Sequence, residues 1–291
     1  MGDPRFIHGP DGRKVWLKWH RARRVSTDPE FSPARIREGM KAGARIEVDL
    51  VPCADGFAVL HDDTLDRSTS GRGLVADHAA GSLSGLFLRG PDGSITSERV
   101  MTLGDLCVLA AGQAGIGAQI QLDLKVGRAA LVPAVTAGFA QAVEPVAERL
   151  ILSGGDSAAV AYLGDMVPRL PLGHDPCHGG TVARLMERRD FDGFVCGAVG
   201  DAGRARMIYL EHGLILFADD RGFDLIGALH EAGFEVDAYT IPRAAPPYLD
   251  AISRLLGLGV DQITTDDPQS LLDWAGAASS ESLARPSRSQ S

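Results

Sequence analysis

The chain has 291 residues and a formal charge of −9, from 29 Lys and Arg against 38 Asp and Glu. That balance argues against a general nucleic-acid binder, which needs a basic surface to displace phosphate counterions. Apolar residues at 45 % and charged residues at 23 % are a globular mixture, and no apolar run approaches the roughly 18 residues that span a bilayer.

Residues 1–19 show no basic segment followed by an apolar one, so we expect no secretory signal, no stable membrane insertion and a cytoplasmic protein. Cys53, Cys107, Cys177 and Cys196 are scattered, with neither a CxxC pair nor a zinc spacing, as expected of reduced thiols. The 35 glycines follow no collagen-like repeat and fit many tight connections between short elements.

In chain order, apolar strand-like runs fall at 15–19, 45–51, 119–124, 149–153, 170–173, 193–196, 235–241 and 260–265. Helical patterns lie between them at 32–42, 103–111, 129–148, 180–189 and 224–232. A further strand-like run at 214–218 has no place in this order. Ser32-Pro33 supplies an N-cap and an N1 proline, and the glycines at 39 and 43 an exit. Strand–helix alternation implies a parallel sheet, either doubly wound or a (β/α)8 barrel, and eight strands favour the α/β barrel. Residues 1–275 then form one domain. An insertion at about 52–105 follows the second strand, with turns at Asp55-Gly56 and Gly71–Gly73. Residues 276–291, rich in Ser, Ala and Arg, are expected to be a disordered tail.

Chemistry concentrates where strands end. The first strand ends in His20-Arg21, the second holds Glu47-x-Asp49, and the third holds Asp123-x-Lys125. Catalytic residues of a parallel barrel gather at these C-terminal ends. Residues two apart on a strand share a face. Three carboxylates near one axis require compensation, from a hard divalent cation such as Mg²⁺ or Ca²⁺ or from arginines beneath loops. His20 and His61 each close an apolar run. They are structural histidines or a general acid–base pair. Arg21 and Lys125 suit a phosphoryl oxygen.

The order of these fragments resembles the glycerophosphodiester phosphodiesterases. The matching residues are His20-Arg21, Pro29-Glu30, Glu47-x-Asp49, Asp55-Gly56, His61-Asp62, Leu65-x-Arg67-x-Thr69 and Gly73. They continue with Thr102-Leu103, Asp123-x-Lys125, Gly259-Val260-Asp261 and Thr265-Asp266-Asp267-Pro268. The resemblance implies a (β/α)8 TIM barrel with a small insertion and one divalent metal ion, Mg²⁺ or Ca²⁺. It implies metal ligands Glu47, Asp49 and Asp123, and an acid–base pair His20 and His61. It also implies phosphate binding by Arg21 and Lys125, with Glu30 supporting that site. The expected reaction is hydrolysis of a small-molecule phosphodiester in lipid metabolism, with no nucleic-acid partner. The alternatives are a lyase that stops at a cyclic phosphate and a barrel that binds a phosphorylated ligand without turnover. Sequence does not orient imidazoles, so the first assignment, His20 as base and His61 as acid, is exchangeable.

Four positions depart from the family pattern. Ala22 stands where glycine is usual, and Glu30-Phe31-Ser32 replaces Glu-Asn-Thr. Asp123 replaces a glutamate. Tyr239-Thr240-Ile241-Pro242 replaces Trp-Thr-Val-Asn. Three further features stand outside the pattern. Arg23 and Arg24 are read as contacts to an anionic leaving group or as solvated. Ser153-Gly154-Gly155-Asp156 is read as pocket lining or a turn, and His174 and His178 as packing or surface residues.

Overall fold

The computed structural model describes Asp3 and residues 5–284. Its strands are β1 (Phe6–His8), β2 (Lys14–Trp19), β3 (Arg45–Cys53), β4 (Gly56–Val59), β5 (Phe87–Arg89) and β6 (Ile95–Arg99). They continue with β7 (Gln119–Leu124), β8 (Leu150–Gly154), β9 (Leu172–His174), β10 (Ala205–Glu211), β11 (Glu235–Ile241) and β12 (Gln262–Thr265). Strands β2, β3 and β7 to β12 pair in parallel, each with its neighbour in this order. The β2–β12 and β2–β3 pairings close the sheet into an eight-stranded barrel. Helices cover its outside, giving the (β/α)8 fold. Strand β1 adds to β2 in antiparallel fashion.

Alternation along each strand sorts the side chains. On β3, Ile46, Val48 and Leu50 are buried in the apolar layer beneath the helices. Arg45, Glu47 and Asp49 occupy the other face, inside the barrel. Registers of Glu47 with Gln121, and of Asp49 with Asp123, level the acids of β3 and β7.

The first helix, Pro33–Ala42, begins and ends where the sequence marks it. The Ser32 hydroxyl accepts from the Arg35 N–H at 3.1 Å, and Gly43 leaves the helix at φ 82°. The insertion leaves β3 through an antiparallel pairing with β4 and adds the β5–β6 hairpin. Its own core includes Cys53, Leu60, Leu65, Val75, Leu83 and Leu88. Glu98 on β6 accepts from the Ser32 hydroxyl at 2.8 Å and from the Ala34 N–H at 3.2 Å, tying the insertion to the first helix.

Several sequence expectations are corrected. Residues 193–196 lie in a helix, Phe191–Asp201, whose N-cap is Asp190. Residues 214–218 lie in the helix His212–Asp219 and bury Leu214, Ile215 and Ala218. The sixth barrel strand is β10, whose apolar stretch is only the four residues Met207–Leu210 between Arg206 and Glu211. The span 129–148 is a set of short helical turns broken at Pro133 and Pro145 rather than one helix. The expected tail starts inside a helix, Pro268–Ala284, and residues 285–291 lie outside the described residues. Ala-rich composition favours that continuation. Among the described residues, no helix is long and apolar enough to cross a membrane.

Leu60 is fully buried in the insertion's core immediately before His61. Leu60→Ala should cost about 2–5 kcal/mol by opening a cavity there, measured by urea unfolding.

Candidate active site

The barrel's C-terminal mouth brings Glu47, Asp49 and Asp123 together, with one carboxylate oxygen from each within 4.8 Å of the others. Glu47 and Asp49 are buried, and Asp123 is partly open. Both oxygens of Asp49 are shielded from solvent without a hydrogen bond, although Lys125 Nζ lies 2.8 Å from Oδ1 and Arg21 Nε lies 3.5 Å from Oδ2. Lys125 also donates to Asp123 at 2.5 Å.

Burial opposes ionisation of Glu47, but His20 and Lys125 overcome it and hold the carboxyl down at about 2. Burial and the adjacent Glu47 charge push Asp49 well above the ordinary carboxyl range. Three oxygen donors, one of them without hydrogen bonds, fit a hard divalent cation. A carboxylate kept from ionising by its neighbours is also what such a charge would relieve.

Immediately after β2 the backbone turns left-handed at Arg21 (φ 52°) and Ala22 (φ 59°). The turn aims the Arg21 N–H at Glu47 Oε2, 2.7 Å away. A residue with a long side chain would be costly at the fully buried, left-handed position 22. Alanine is the smallest departure from glycine there.

Both histidines sit at this mouth, and each rests Nδ1 on a carboxylate. His20 Nδ1 is 2.5 Å from Asp266, and its Nε2 is 4.0 Å from Glu47. His61 Nδ1 is 2.7 Å from Asp62. Asp62 takes the Arg67 guanidinium, and Arg67 reaches Glu30 at 3.0 Å. Glu30 accepts from Arg21 at 2.7 Å. This chain of ion pairs joins the first loop to the insertion.

The arrangement reassigns several residues. Glu30 accepts from two arginines, Arg21 and Arg67, and so holds Arg21 from the first loop. Arg23 is tied to Asp266, and Arg24 to Glu38 and Gln269. Asp62, Arg67 and Asp266 complete the site, although the sequence reading gave them no role. Their signals were the position of Asp62 directly after His61 and of Asp266 at the end of the last strand. His178 packs against Gly155 and lies 2.8 Å from Asp175. The Tyr239 hydroxyl donates to Asp175 at 3.0 Å. Beside them opens a cavity of about 380 Å³ lined by Gly155, His174, Asp175, His178 and Phe194.

Residues 20–270 match the sequence profile of the glycerophosphoryl diester phosphodiesterase family. The chain belongs to this family. Membership makes the protein a phosphoric diester hydrolase. It is 25 % identical over 250 residues to a glycerophosphodiester phosphodiesterase of Caldanaerobacter subterraneus subsp. tengcongensis, spanning 84 % of this chain and 91 % of that one. Its fold is similar to a glycerophosphoryl diester phosphodiesterase from Parabacteroides distasonis, with a TM-score of 0.60 and 22 % identity over 99 % of this chain and 92 % of the other. It is also similar to an Oleispira antarctica phosphodiesterase solved with the product sn-glycerol-3-phosphate. There the TM-score is 0.62, with 19 % identity over 90 % and 96 % of the two chains.

The ion pairs at the mouth carry a pH signature. The hydrogen bond from Arg67, helped by His61, lowers the Asp62 pKa from 3.8 to about 2. Its stabilising contribution is therefore complete above the ordinary value and is lost as pH falls toward the folded one. Between pH 4 and pH 2 the wild type should lose stability more steeply than Asp62→Asn, read from thermal melts across that window.

Proposed function

We propose that this enzyme hydrolyses a glycerophosphodiester, using one divalent cation, Mg²⁺ or Ca²⁺, held by Glu47, Asp49 and Asp123. The observation that carries the reading is the convergence of three carboxylates at a mouth that also holds two histidines, each oriented by its own carboxylate. The glycerol phosphate seen with the Oleispira antarctica relative supports the substrate class. Bound there, the cation would polarise the phosphoryl oxygen as a Lewis acid. Arg21 and Lys125 hold the phosphate oxygens. With Asp49 and Asp123 neutralised, Lys125 is free to turn its ammonium toward the substrate.

The charges facing the two rings differ. His20 stands between Asp266 and Glu47. Burial lowers the pKa of His61, and the cations Arg21 and Lys125 act in the same direction against the pull of Asp62. His61 is therefore the uncharged ring that takes a proton, from water or from the substrate's neighbouring hydroxyl. His20 is the ring that delivers one to the leaving oxygen. This reverses the first assignment made from sequence. Attack by a neighbouring hydroxyl forms a cyclic phosphate first, and water then opens it.

Leaving-group chemistry tests these roles, because p-nitrophenolate departs without a proton and an alkoxide does not. His20→Ala should lose about 10²- to 10⁴-fold in turnover on an alkyl glycerophosphodiester and far less on bis(p-nitrophenyl) phosphate. His61→Ala should lose activity on both, and unchanged turnover in that variant would overturn the assignment. The acidic limb of kcat/KM should fall below pH 6.5, the ordinary histidine value. Phosphorus NMR distinguishes complete hydrolysis from a reaction that stops at the cyclic phosphate.

Metal dependence has its own readout. Mg²⁺ or Ca²⁺ at about 100 times its dissociation constant should stabilise the wild type by about 2.7 kcal/mol, seen as a higher melting temperature. Asp49→Asn should lose that response.

A further inference from the structure

Below the mouth, the barrel interior is polar where a stability-driven core would be apolar. Lys18 on β2 is 3 % exposed, and its Nζ lies 3.1 Å from Asp237 on β11, which is fully buried. Asp237 also accepts from Gln262 and from the Thr264 hydroxyl, at 2.7 Å in the latter case. From Lys18 a line of hydrogen bonds climbs toward the mouth. The Lys18 ammonium donates to Gln121 Oε1. Gln121 Nε2 donates to Ser153 Oγ at 2.7 Å. The Ser153 hydroxyl donates to Asp123 Oδ1 at 2.9 Å.

The direction of this line is fixed by chemistry. An ammonium has three donors and no acceptor, so the amide of Gln121 must turn its oxygen to Lys18. Its NH₂ then faces Ser153 and occupies the hydroxyl as an acceptor. The single proton of Ser153 is left for Asp123, a carboxylate that can only accept when ionised. Lys18 cannot swing away, because Asp237 is fixed by two further donors. The other oxygen of Asp123 takes Lys125.

We infer that Ser153, oriented through Gln121 by the buried Lys18–Asp237 pair, is a positioning residue that presets the Asp123 carboxylate for the divalent cation. The inference rests on the metal site proposed above. Asp123 is the most open of the three acids, so it has the most freedom to lose on binding. A fixed donor on one oxygen removes rotation about the last side-chain bond before the cation arrives. Outer hydrogen-bond partners of this kind are worth about 10- to 100-fold in metal affinity.

Isothermal calorimetry with Mg²⁺ and Ca²⁺ alone, paired with metal-free thermal unfolding, tests it. Ser153→Ala should weaken metal binding about 10- to 100-fold, while the metal-free protein still unfolds cooperatively with its melting temperature lowered only by the loss of the buried Gln121 partner. Gln121→Met, which keeps the volume but cuts the line, should weaken it less. Wild-type affinity in Ser153→Ala, with binding lost in Asp123→Asn, would overturn the inference and leave the metal site standing. Wild-type affinity in Gln121→Met alone would overturn the part of Lys18 and Gln121. Wild-type affinity in Asp123→Asn would overturn the metal site itself and this inference with it.

Discussion

Two carboxylates on one face of a buried strand set the terms for the rest of the molecule. Glu47 and Asp49 lie side by side inside the barrel, and burying a charge without partners is expensive. Their neighbours answer that cost without cancelling it. The turn after β2 gives Glu47 a backbone N–H, and Lys125 and Arg21 approach Asp49 without making a hydrogen bond. An arrangement built for stability alone would complete those bonds or replace the acids by apolar residues. What remains incomplete is a concentrated negative site with oxygen donors facing one point, at the end of the barrel where such folds do their chemistry.

The two imidazoles reach that point by different routes, and the fold treats them differently. His20 follows β2 directly and is placed by the barrel itself. His61 comes from the insertion, directly after β4, which pairs with β3 and packs Phe57 and Val59 into the main core. Further ties are polar. Glu98 grips the first helix, and the chain Asp62–Arg67–Glu30–Arg21 links the insertion to the first loop. Much of that chain is partly exposed, so each pair contributes little to stability. Its effect is to hold two rings on separate segments in one arrangement, as the proposed proton transfers would require.

The strand ends were legible in the sequence because parity is a covalent fact. Residues two apart share a face, so the pairing of Glu47 with Asp49, and of Asp123 with Lys125, follows from spacing alone. The first helix was marked by Ser32 and Gly43. What failed was the separation of short apolar runs into strands and helices. Residues 193–196 and 214–218 are apolar enough for either, and only the cap at Asp190 and the one-sided burial of Leu214, Ile215 and Ala218 decide. The partners of the histidines were harder still. Asp266 meets His20 across 246 positions, and no local pattern carries a contact that barrel closure alone creates.

Barrel closure also explains how a chain with a charge of −9 can manage a phosphate. Net charge acts at long range and is screened within about 10 Å at ordinary ionic strength. Local order acts at hydrogen-bond distance. Around the mouth, Arg21, Arg23, Arg67 and Lys125 each face a carboxylate, so none of these four is free to seize an anion by itself. With the proposed divalent cation in place, the acids that hold Arg21 and Lys125 would be offset and both cations could turn to the phosphate. The polar line beneath Asp123 belongs to the same logic. An anion bound through an intermediate charge is bound only as well as the ligands of that charge are held.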